Sequence, residues 1–449
     1  MKFKITVFAF LFGMAITMAQ QKKWTLEECI VHAEENNLSI ALSELDFEEA
    51  KIGESDAFGN FLPNANGTIT TSANTGLSFD PTTQEPVTTT ILTANGGLSS
   101  NVNLFNGLRN INNLRRAKMN SLASQYRLDD LKDDIRLNVA FAYLNIISAK
   151  ETLVTQKAQY AVTEQDIKRT TELVDAGVLP RGDLLEIEAT AAGQEQQIVL
   201  TENQVIISKI SLAQLLQITD YSNFDIAEID IDVPQSEILI QTPKDIFSKA
   251  LSFRNDIKFS ETNVELAEQD LKISKGALLP TLVGFFNYNT RYSDQERFNN
   301  ITGVLERESF SNQLWQNDGI SYGVQLNVPI FNRFANKNNI ERSEINILRS
   351  ELQLEQTKLQ LETDINQSYV DVKSFAKAYE AAQKNLEATR LAYDYSKERY
   401  EVGLLNAFEF SQTQSRVDNA EADVIRTKYD YIFRIKVLEF YFGIPLSLN

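Results

Sequence analysis

Residues 102–116, VNLFNGLRNINNLRR, and residues 328–342, VPIFNRFANKNNIER, are two versions of one pattern. Val102/Val328, Phe105/Phe331, Asn106/Asn332, Asn112/Asn338, Asn113/Asn339 and Arg116/Arg342 coincide at an offset of 226, which also pairs Gly177 with Gly403 and Leu212 with Leu438 without a gap. Self-similarity at a fixed spacing marks a duplicated structural unit. Upstream, residues 33–63 align on 250–280 at an offset of 217, through Ala33/Ala250, Ile40/Ile257, Glu44/Glu261, Gly59/Gly276 and Pro63/Pro280. The offset changes between Pro63 and Val102, where a loop differs in length between the halves.

After each quoted stretch the spacing turns helical. Steps of seven from Val139 reach Ile146, Leu153, Tyr160, Ile167 and Val174; those from Ile365 reach Val372, Tyr379, Leu386, Tyr393 and Tyr400. Positions three later are mostly small: Ala142, Ala149, Thr163 and Thr170, then Ser368, Ala382, Thr389 and Ser396. Such heptads predict coiled-coil seams with large knobs over small residues. The register returns through Leu184, Ala191, Ile198, Val205 and Leu212, and through Phe410, Val417, Val424, Tyr431 and Leu438. A helix from Phe105 to Gly177, or from Phe331 to Gly403, would span ~100 Å, and two ~50 Å helices end to end would match it.

The expected order is internally duplicated: helix, strand, strand, long helix, return helix. The first repeat, 20–218, carries a helix over 25–58, strands over 64–79 and 92–105, a long helix over 107–175 and a return helix over 183–217. An inter-repeat linker follows over 219–242. The second repeat, 243–449, carries a helix over 243–276, strands over 281–292 and 319–331, a long helix over 335–401 and a return helix over 407–442. Pro63 and Pro280 end the first helices.

The four strands alternate. Ile320, Tyr322, Val324, Leu326, Val328 and Ile330 face away from Ser321, Gly323, Gln325 and Asn327. Ile69, Ala73, Leu77 and Phe79 oppose Asn66, Thr68, Thr70, Ser72 and Asn74; Leu92, Ala94, Leu98, Val102 and Leu104 oppose Asn95, Ser99, Asn101 and Asn103. Leu282, Phe286, Tyr288 and Tyr292 stand against Asn287, Asn289 and Arg291. Each segment reaches the ~9–11 residues of a tilted membrane strand, and aromatic residues (Phe61, Phe79, Phe105, Tyr292, Trp315, Phe331) gather near the ends. A half-buried soluble sheet would show the same alternation. Four strands cannot close a barrel, whose smallest form has about eight, so copies of the chain must assemble: two would give eight strands and three twelve.

Composition narrows the chemistry. The 449 residues hold 43 Lys+Arg, 61 Asp+Glu, one His and one Cys, for a net charge of −18. One His and one Cys cannot build a His/Cys metal cage, a Cys–His nucleophile or a disulfide, and an acidic chain lacks the cations that hold nucleic acid. Cys29 and His32, one turn apart, are too few for a metal, so helix packing explains them. No carboxylate pair stands out from solvated helix faces as an acid/base couple. No catalytic residue, metal or cofactor is expected. Lys2 and Lys4, the apolar run Ile5–Met18 and Thr17-Met18-Ala19 describe a signal peptide over 1–19, cleaved after Ala19. Cys29 lies too far beyond that site to be lipidated. No later stretch is long and apolar enough to be a membrane helix.

These residues resemble the TolC-type outer-membrane efflux family across essentially the whole mature chain. The resemblance lies in Trp24-Thr25-Leu26-Glu27-Glu28, Ala33, Asn36-Asn37, the Leu62-Pro63 and Leu279-Pro280 stops, Leu104-Phe105-Asn106-Gly107, Pro329-Ile330-Phe331-Asn332 and Arg399-Tyr400-Glu401-Val402-Gly403-Leu404, in duplicated order. It implies a mainly α chain with a β-barrel contribution: a homotrimer whose 12-stranded barrel sits in outer-membrane lipid above a long antiparallel coiled-coil α-barrel in the periplasm. It further implies docking to a periplasmic adaptor (membrane fusion) protein and an inner-membrane RND or ABC pump, with 219–242 and the C-terminal tail in an equatorial region. The chain would be an exit duct for efflux or type I secretion. A soluble periplasmic coiled-coil adaptor or scaffold shares the heptads without lipid-facing strands.

Two places follow from the resemblance. Ala176-Gly177-Val178-Leu179 and Val402-Gly403-Leu404-Leu405 resemble the tips that meet the adaptor; physically, a glycine able to take positive φ reverses the chain. Asp183 and Glu409, six residues past each glycine, with Glu186, resemble the acidic ring at the periplasmic entrance, where repeated carboxylates would favour cations. Capping explains the same acids: Asn406 with Glu409 has capping-box spacing, and Asp183 suits a helix N-terminus. Gln412 and Leu405 stand where the family's pattern has a second acid and a basic residue; Tyr400 matches.

Overall fold

The computed structural model describes residues 22–79, 83–227, 231–234, 236–298 and 303–446. The expected signal peptide over 1–19 lies outside them, as do residues 228–230 and 235 of the expected linker. In chain order the elements are β1 (Lys23–Trp24), α1 (Leu26–Asn36), α2 (Leu38–Gly59), β2 (Asn66–Phe79), β3 (Pro86–Asn106), α3 (Arg109–Asp175), α4 (Arg181–Leu215) and β4 (Asp225–Ile226). A 3-10 turn over Glu237–Ile240 leads to α5 (Pro243–Phe253), α6 (Asn255–Gly276), β5 (Thr281–Ser293), β6 (Arg297–Phe298) and β7 (Leu305–Glu306). Last come α7 (Phe310–Gln316), β8 (Gly319–Asn327), α8 (Ala335–Glu401) and α9 (Ala407–Tyr441). The long helices α3 and α8 have 67 residues each, and the return helices α4 and α9 have 35 each.

The helices expected over 25–58 and 243–276 are each broken in two. Asn37 leaves the helical region at ψ 125°; its side chain accepts from the Ser39 N–H at 2.9 Å and donates to the Leu215 carbonyl at 3.0 Å. Arg254 breaks the other helix at ψ 131°. Each helix starts at a threonine capping box, Thr25 with Glu28 and Thr242 with Asp245, in which side chain and backbone bond reciprocally.

The chain forms two compact units: one of residues up to Leu42, Leu128–Arg254 and from Lys358 on; the other of Ser43–Arg127 and Asn255–Thr357. The second holds a four-stranded antiparallel sheet in the order β2-β3-β5-β8. Its register lines up the alternation of all four strands. Leu98 pairs with Gly67 and Tyr288, Tyr288 with Ile320, Phe286 with Tyr322, Gly284 with Val324, and Leu282 with Leu326. On the opposite face Asn66, Ser99, Asn287 and Ser321 follow one another across the sheet. A bulge between Asn103 and Phe105 puts Phe105 opposite Leu282, which re-aims the end of β3. The strand expected over 319–331 pairs only to Asn327, two residues before Pro329, which has no N–H to donate.

Each strand enters its long helix through two consecutive left-handed residues: Gly107 and Leu108 before α3, Arg333 and Phe334 before α8. Gly107 also presses on Gly276, where an added Cβ would come within 2.1 Å of the Gly276 carbonyl oxygen. Asn110 donates to the Asn60 carbonyl at 2.8 Å and Asn336 to the Ala277 carbonyl at 2.8 Å, so α3 is tied to the end of α2 and α8 to the end of α6.

In the first unit β1 pairs in parallel with β4. The buried Tyr143 hydroxyl donates to the Trp24 carbonyl at 3.1 Å, and Lys150 and Lys209 hold Asp225 at 2.5 and 3.0 Å. Burial pushes the Asp225 carboxyl up, but these lysines and the Ile226 N–H outweigh it and leave it below the ordinary carboxylate value. The seam residues Val139, Ile146, Ile365, Val372, Leu212 and Leu438 are fully buried. Toward the end of α3 the expected packing inverts: Thr163 and Thr170 are buried while Ile167 is half-exposed.

Candidate functional site

The chain presents two candidate functional surfaces: the apolar face of the sheet and the two helical turns. On the sheet, Ile69 is 86% and Tyr322 79% exposed, with Leu77, Ile320, Val324 and Leu326 also bare. Phe310 of α7 packs on Tyr292 at one end of this face and the residues just named stay uncovered, while among the described strands β2 and β8, the two edges, each have one neighbour. Long bare edges beside an apolar face invite pairing with another chain. Between β5 and β8, α7 is held firmly: Gln313 accepts from the Ser293 N–H at 2.9 Å and donates to the Ser293 carbonyl at 2.8 Å.

At the first turn Gly177 has φ +72°, and the Val178 N–H donates to the Leu173 carbonyl at 2.8 Å. At the second, Gly403 has φ +73° and the Leu404 N–H donates to the Arg399 carbonyl at 2.8 Å. Both close in the manner of a Schellman motif, which satisfies carbonyls the helix end leaves open. The turns leave Val178 67% and Leu404 69% exposed, with Val402 bare, while Leu179 and Leu405 are half-buried and Ala176 is exposed.

Behind these turns α3, α8 and α9 are fastened together. The Tyr400 ring stacks on Phe410, its hydroxyl lies 3.4 Å from that of Thr170, and Arg169 pairs with Glu401 at 2.8 Å. One turn further in, Gln414 donates to the Thr163 hydroxyl at 2.7 Å. Burial raises the Tyr400 phenol, the Thr170 contact opposes that, and the carboxylates of Asp183 and Asp166 add smaller upward contributions. The structure therefore brings Asp183 into the neighbourhood of Tyr400. Asp183 and Glu186, three apart on α4, are half-buried; Glu409 and Gln412, three apart on α9, are exposed. The Glu409 N–H donates to Asn406 Oδ1 at 2.9 Å, so Asn406 caps α9. Among the described residues no hydrogen bond or ion pair joins Glu409 or Gln412 to Asp183 or Glu186. Sequence reasoning missed the Arg169–Glu401 pair and the Thr163–Gln414 bond, since neither has a periodic signature.

Cys29 and His32 do not form a site. Cys29 is fully buried and its thiol is pushed up to about 12, chiefly by that burial. His32 packs edge-on against Trp24 at 4.9 Å. Among the described residues no three His, Cys, Asp or Glu side chains are grouped to hold a metal, and no helix is long and apolar enough to cross a membrane.

A strand quartet with one bare apolar face, joined to paired long helices that end in glycine turns, defines a class of envelope channel subunits. The chain belongs to the outer membrane efflux protein family, whose pattern it matches over residues 30–216 and 246–441. It is similar to outer membrane protein TolC of Vibrio cholerae, 21% identical over 308 residues; the match covers 67% of this chain and 65% of that relative. It is also similar to outer membrane efflux protein BepC of Brucella suis, 19% identical over 420 residues, covering 94% of this chain and 85% of BepC. The fold is shared with the CmeC outer membrane channel of Campylobacter jejuni, with a TM-score of 0.74 and 18% identity over 93% of this chain and 85% of CmeC. The soluble adaptor reading has no support in these relatives or in the bare sheet.

Proposed function

We propose that three copies of this chain form an outer-membrane exit duct: β2 of each pairs with β8 of the next to close a 12-stranded barrel, and the helices continue it as a periplasmic tunnel. The observation that carries this reading is the register. It places the apolar residues of four strands on one largely uncovered face while both sheet edges stay open, and lipid outside with water inside satisfies both faces once the edges pair. The duct is passive, with no catalytic step or cofactor. Solute is driven by an inner-membrane RND or ABC pump through a periplasmic adaptor, which docks on the tips at Ala176-Gly177-Val178-Leu179 and Val402-Gly403-Leu404-Leu405. The exported chain loses residues 1–19 and is not lipidated.

Around the tunnel entrance Glu409, Asp183, Glu186, Gln412 and Tyr400 form the constriction. Three copies of the exposed Glu409 carboxylate attract cations. Conductance across planar bilayers tests this: Glu409→Gln lowers the potassium-to-chloride permeability ratio, and an unchanged ratio leaves Glu409 outside the pore. Channels of any selectivity require the assembled barrel, so failure to insert at all counts against the duct itself.

A further inference from the structure

β8 stops short, and α7 takes its place along the outer part of β5. Gly319, the first residue of β8, pairs with Asn289, while β5 runs on to Ser293. One residue further, the Asp294 N–H donates to the Leu92 carbonyl of β3 at 3.0 Å. Backbone groups alternate in direction along an antiparallel strand, so those of Arg291 and Ser293 point the other way, to where β8 would continue. α7 meets them there. Gln313 bonds both the N–H and the carbonyl of Ser293, at 2.9 and 2.8 Å, and Asn317 donates to the Arg291 carbonyl at 2.7 Å. Two residues of the apolar face fix how the helix leans: the rings of Phe310 and Tyr292 have centroids 5.1 Å apart, and Thr290 Oγ1 donates to the Leu314 carbonyl at 2.7 Å.

The helical period then places Trp315. At about 100° per residue it stands roughly 200° around α7 from Gln313, on the side away from β5, and it is 77% exposed. Phe310 and Leu314 occupy the flank over the apolar face, and Asn312 and Gln316 the opposite flank. A helix with its side chains is about 10 Å across while strands lie about 4.8 Å apart, so α7, standing where one strand would run, reaches into the lane beyond. In the ring proposed above that lane belongs to β2 of the next copy. β2 has 14 residues and β8 nine; with their helix-side ends, Asn66 and Asn327, level, Thr75–Phe79 outrun β8 and continue beside α7. There Leu77 and Phe79 are 73% and 69% exposed.

We propose that α7 is a clasp between subunits, with Trp315 packing over Leu77 and Phe79 of the next copy. The clasp rests on the β2–β8 ring proposed above and adds a contact that strand pairing does not supply. Gln313 fastens one side of the helix to its own subunit, and Trp315 carries the other side across the seam. A ring laid over two apolar side chains stabilises the stretch of seam that lies beyond the last residue of β8. Residues 309–317, SFSNQLWQN, hold no charge, so nothing in the helix opposes burial against a second copy. Lipid would lie against the Phe310 and Leu314 flank, and Trp315 stands further around the helix than either.

The test is cross-linking of the full-length protein in outer-membrane vesicles with a short bis-maleimide. Trp315→Cys is combined with Leu77→Cys or with Phe79→Cys, and cysteine pairs drawn from Thr68, Thr70 and Ser72 on β2 with Ser321 and Gln325 on β8 mark the ring itself. Trp315, Leu77 and Phe79 are exposed in the subunit, so these substitutions spare its own packing. At least one Trp315 pair should give about tenfold more covalent dimer and trimer than either single variant, since groups held side by side react at high effective concentration. Ring pairs that trap while neither Trp315 pair does would overturn the clasp and leave the ring standing; no trapping anywhere would overturn both. The part of the tryptophan emission that Trp315→Phe removes gives a second readout, and Leu77→Ser with Phe79→Ser should shift it to the red. Emission unchanged by that double variant would also overturn the clasp, and quenching by brominated phosphatidylcholine would then assign Trp315 to lipid.

Discussion

The ring of Tyr400 lies flat on that of Phe410, with centroids 4.8 Å apart and planes 2° from parallel. Phe410 is fully buried and also stacks against Tyr393 at 5.6 Å, so one side chain on α9 anchors two on α8 just behind the turn. Removing it leaves a cavity where two rings met. Phe410→Ala should cost about 3 kcal/mol locally and raise amide hydrogen exchange on both sides of Gly403. Tyr400→Phe keeps the stack and loses only a long contact with Thr170, so its exchange should match the parent chain.

Two glycines separate conformational cost from close approach. Around Gly403, at φ +73°, an added Cβ meets nothing within 4 Å, so Gly403→Ala should cost only the ~1 kcal/mol of a left-handed alanine. Gly276 sits in a helix, but a Cβ there meets the Gly107 carbonyl oxygen at 2.5 Å. Gly276→Ala should therefore displace the junction of β3 and α3 and lower the yield of assembled protein in membranes, whereas Gly403→Ala assembles normally. Quantitative heat-modifiability gels distinguish the two.

The exposed tips should tolerate charge structurally and not functionally. Val178→Asp and Leu404→Asp touch no core and should shift the unfolding midpoint by less than about 0.5 kcal/mol equivalent. Cross-linked recovery of the periplasmic partner should fall at least tenfold. Undiminished recovery would place docking elsewhere.

Acid should loosen the β1–β4 clasp. The Asp225 carboxyl is lower in the folded chain than when unfolded, so its contribution is complete above the unfolded value of ~3.9 and is lost as pH falls through the lower folded value. Lys150→Met removes one of two lysines that offset its burial. The variant should be less stable at neutral pH by about 1–3 kcal/mol and should lose the clasp at higher pH than the parent. Fluorescence of Trp24, which sits in β1 and lies 6.3 Å from Phe224, reports the change.

How much of this was legible in the sequence depended on periodicity. The heptad steps from Ile365 to Tyr400 lie within α8, Ala335–Glu401, because a long seam repeats its signal many times. The alternation of β8 was equally clear, but a strand shows only its own faces; that Tyr322 stands beside Phe286 needed the register. Single-residue events were not legible. Asn37 breaks a helix through a bond to the Leu215 carbonyl, 178 residues away, and α7 depends on the clamp of Gln313 on Ser293. Arg333 takes the left-handed backbone that Gly107 takes at the other junction, so residue type did not announce that turn. At the tips the glycines were readable, while the electrostatic influence of Asp183 on Tyr400 has no signature in the sequence.

The most direct measurement is disulfide trapping between the open sheet edges. A panel of paired cysteines on the water-facing side of β2 (Thr68, Thr70, Ser72) and β8 (Ser321, Gln325) is oxidised in outer-membrane vesicles and sized on denaturing gels; Cys29 is buried and does not interfere. The account predicts covalent dimers and trimers and nothing larger, because the third copy closes the ring. Chains that stay monomeric across the whole panel, or a ladder running beyond three, would contradict it.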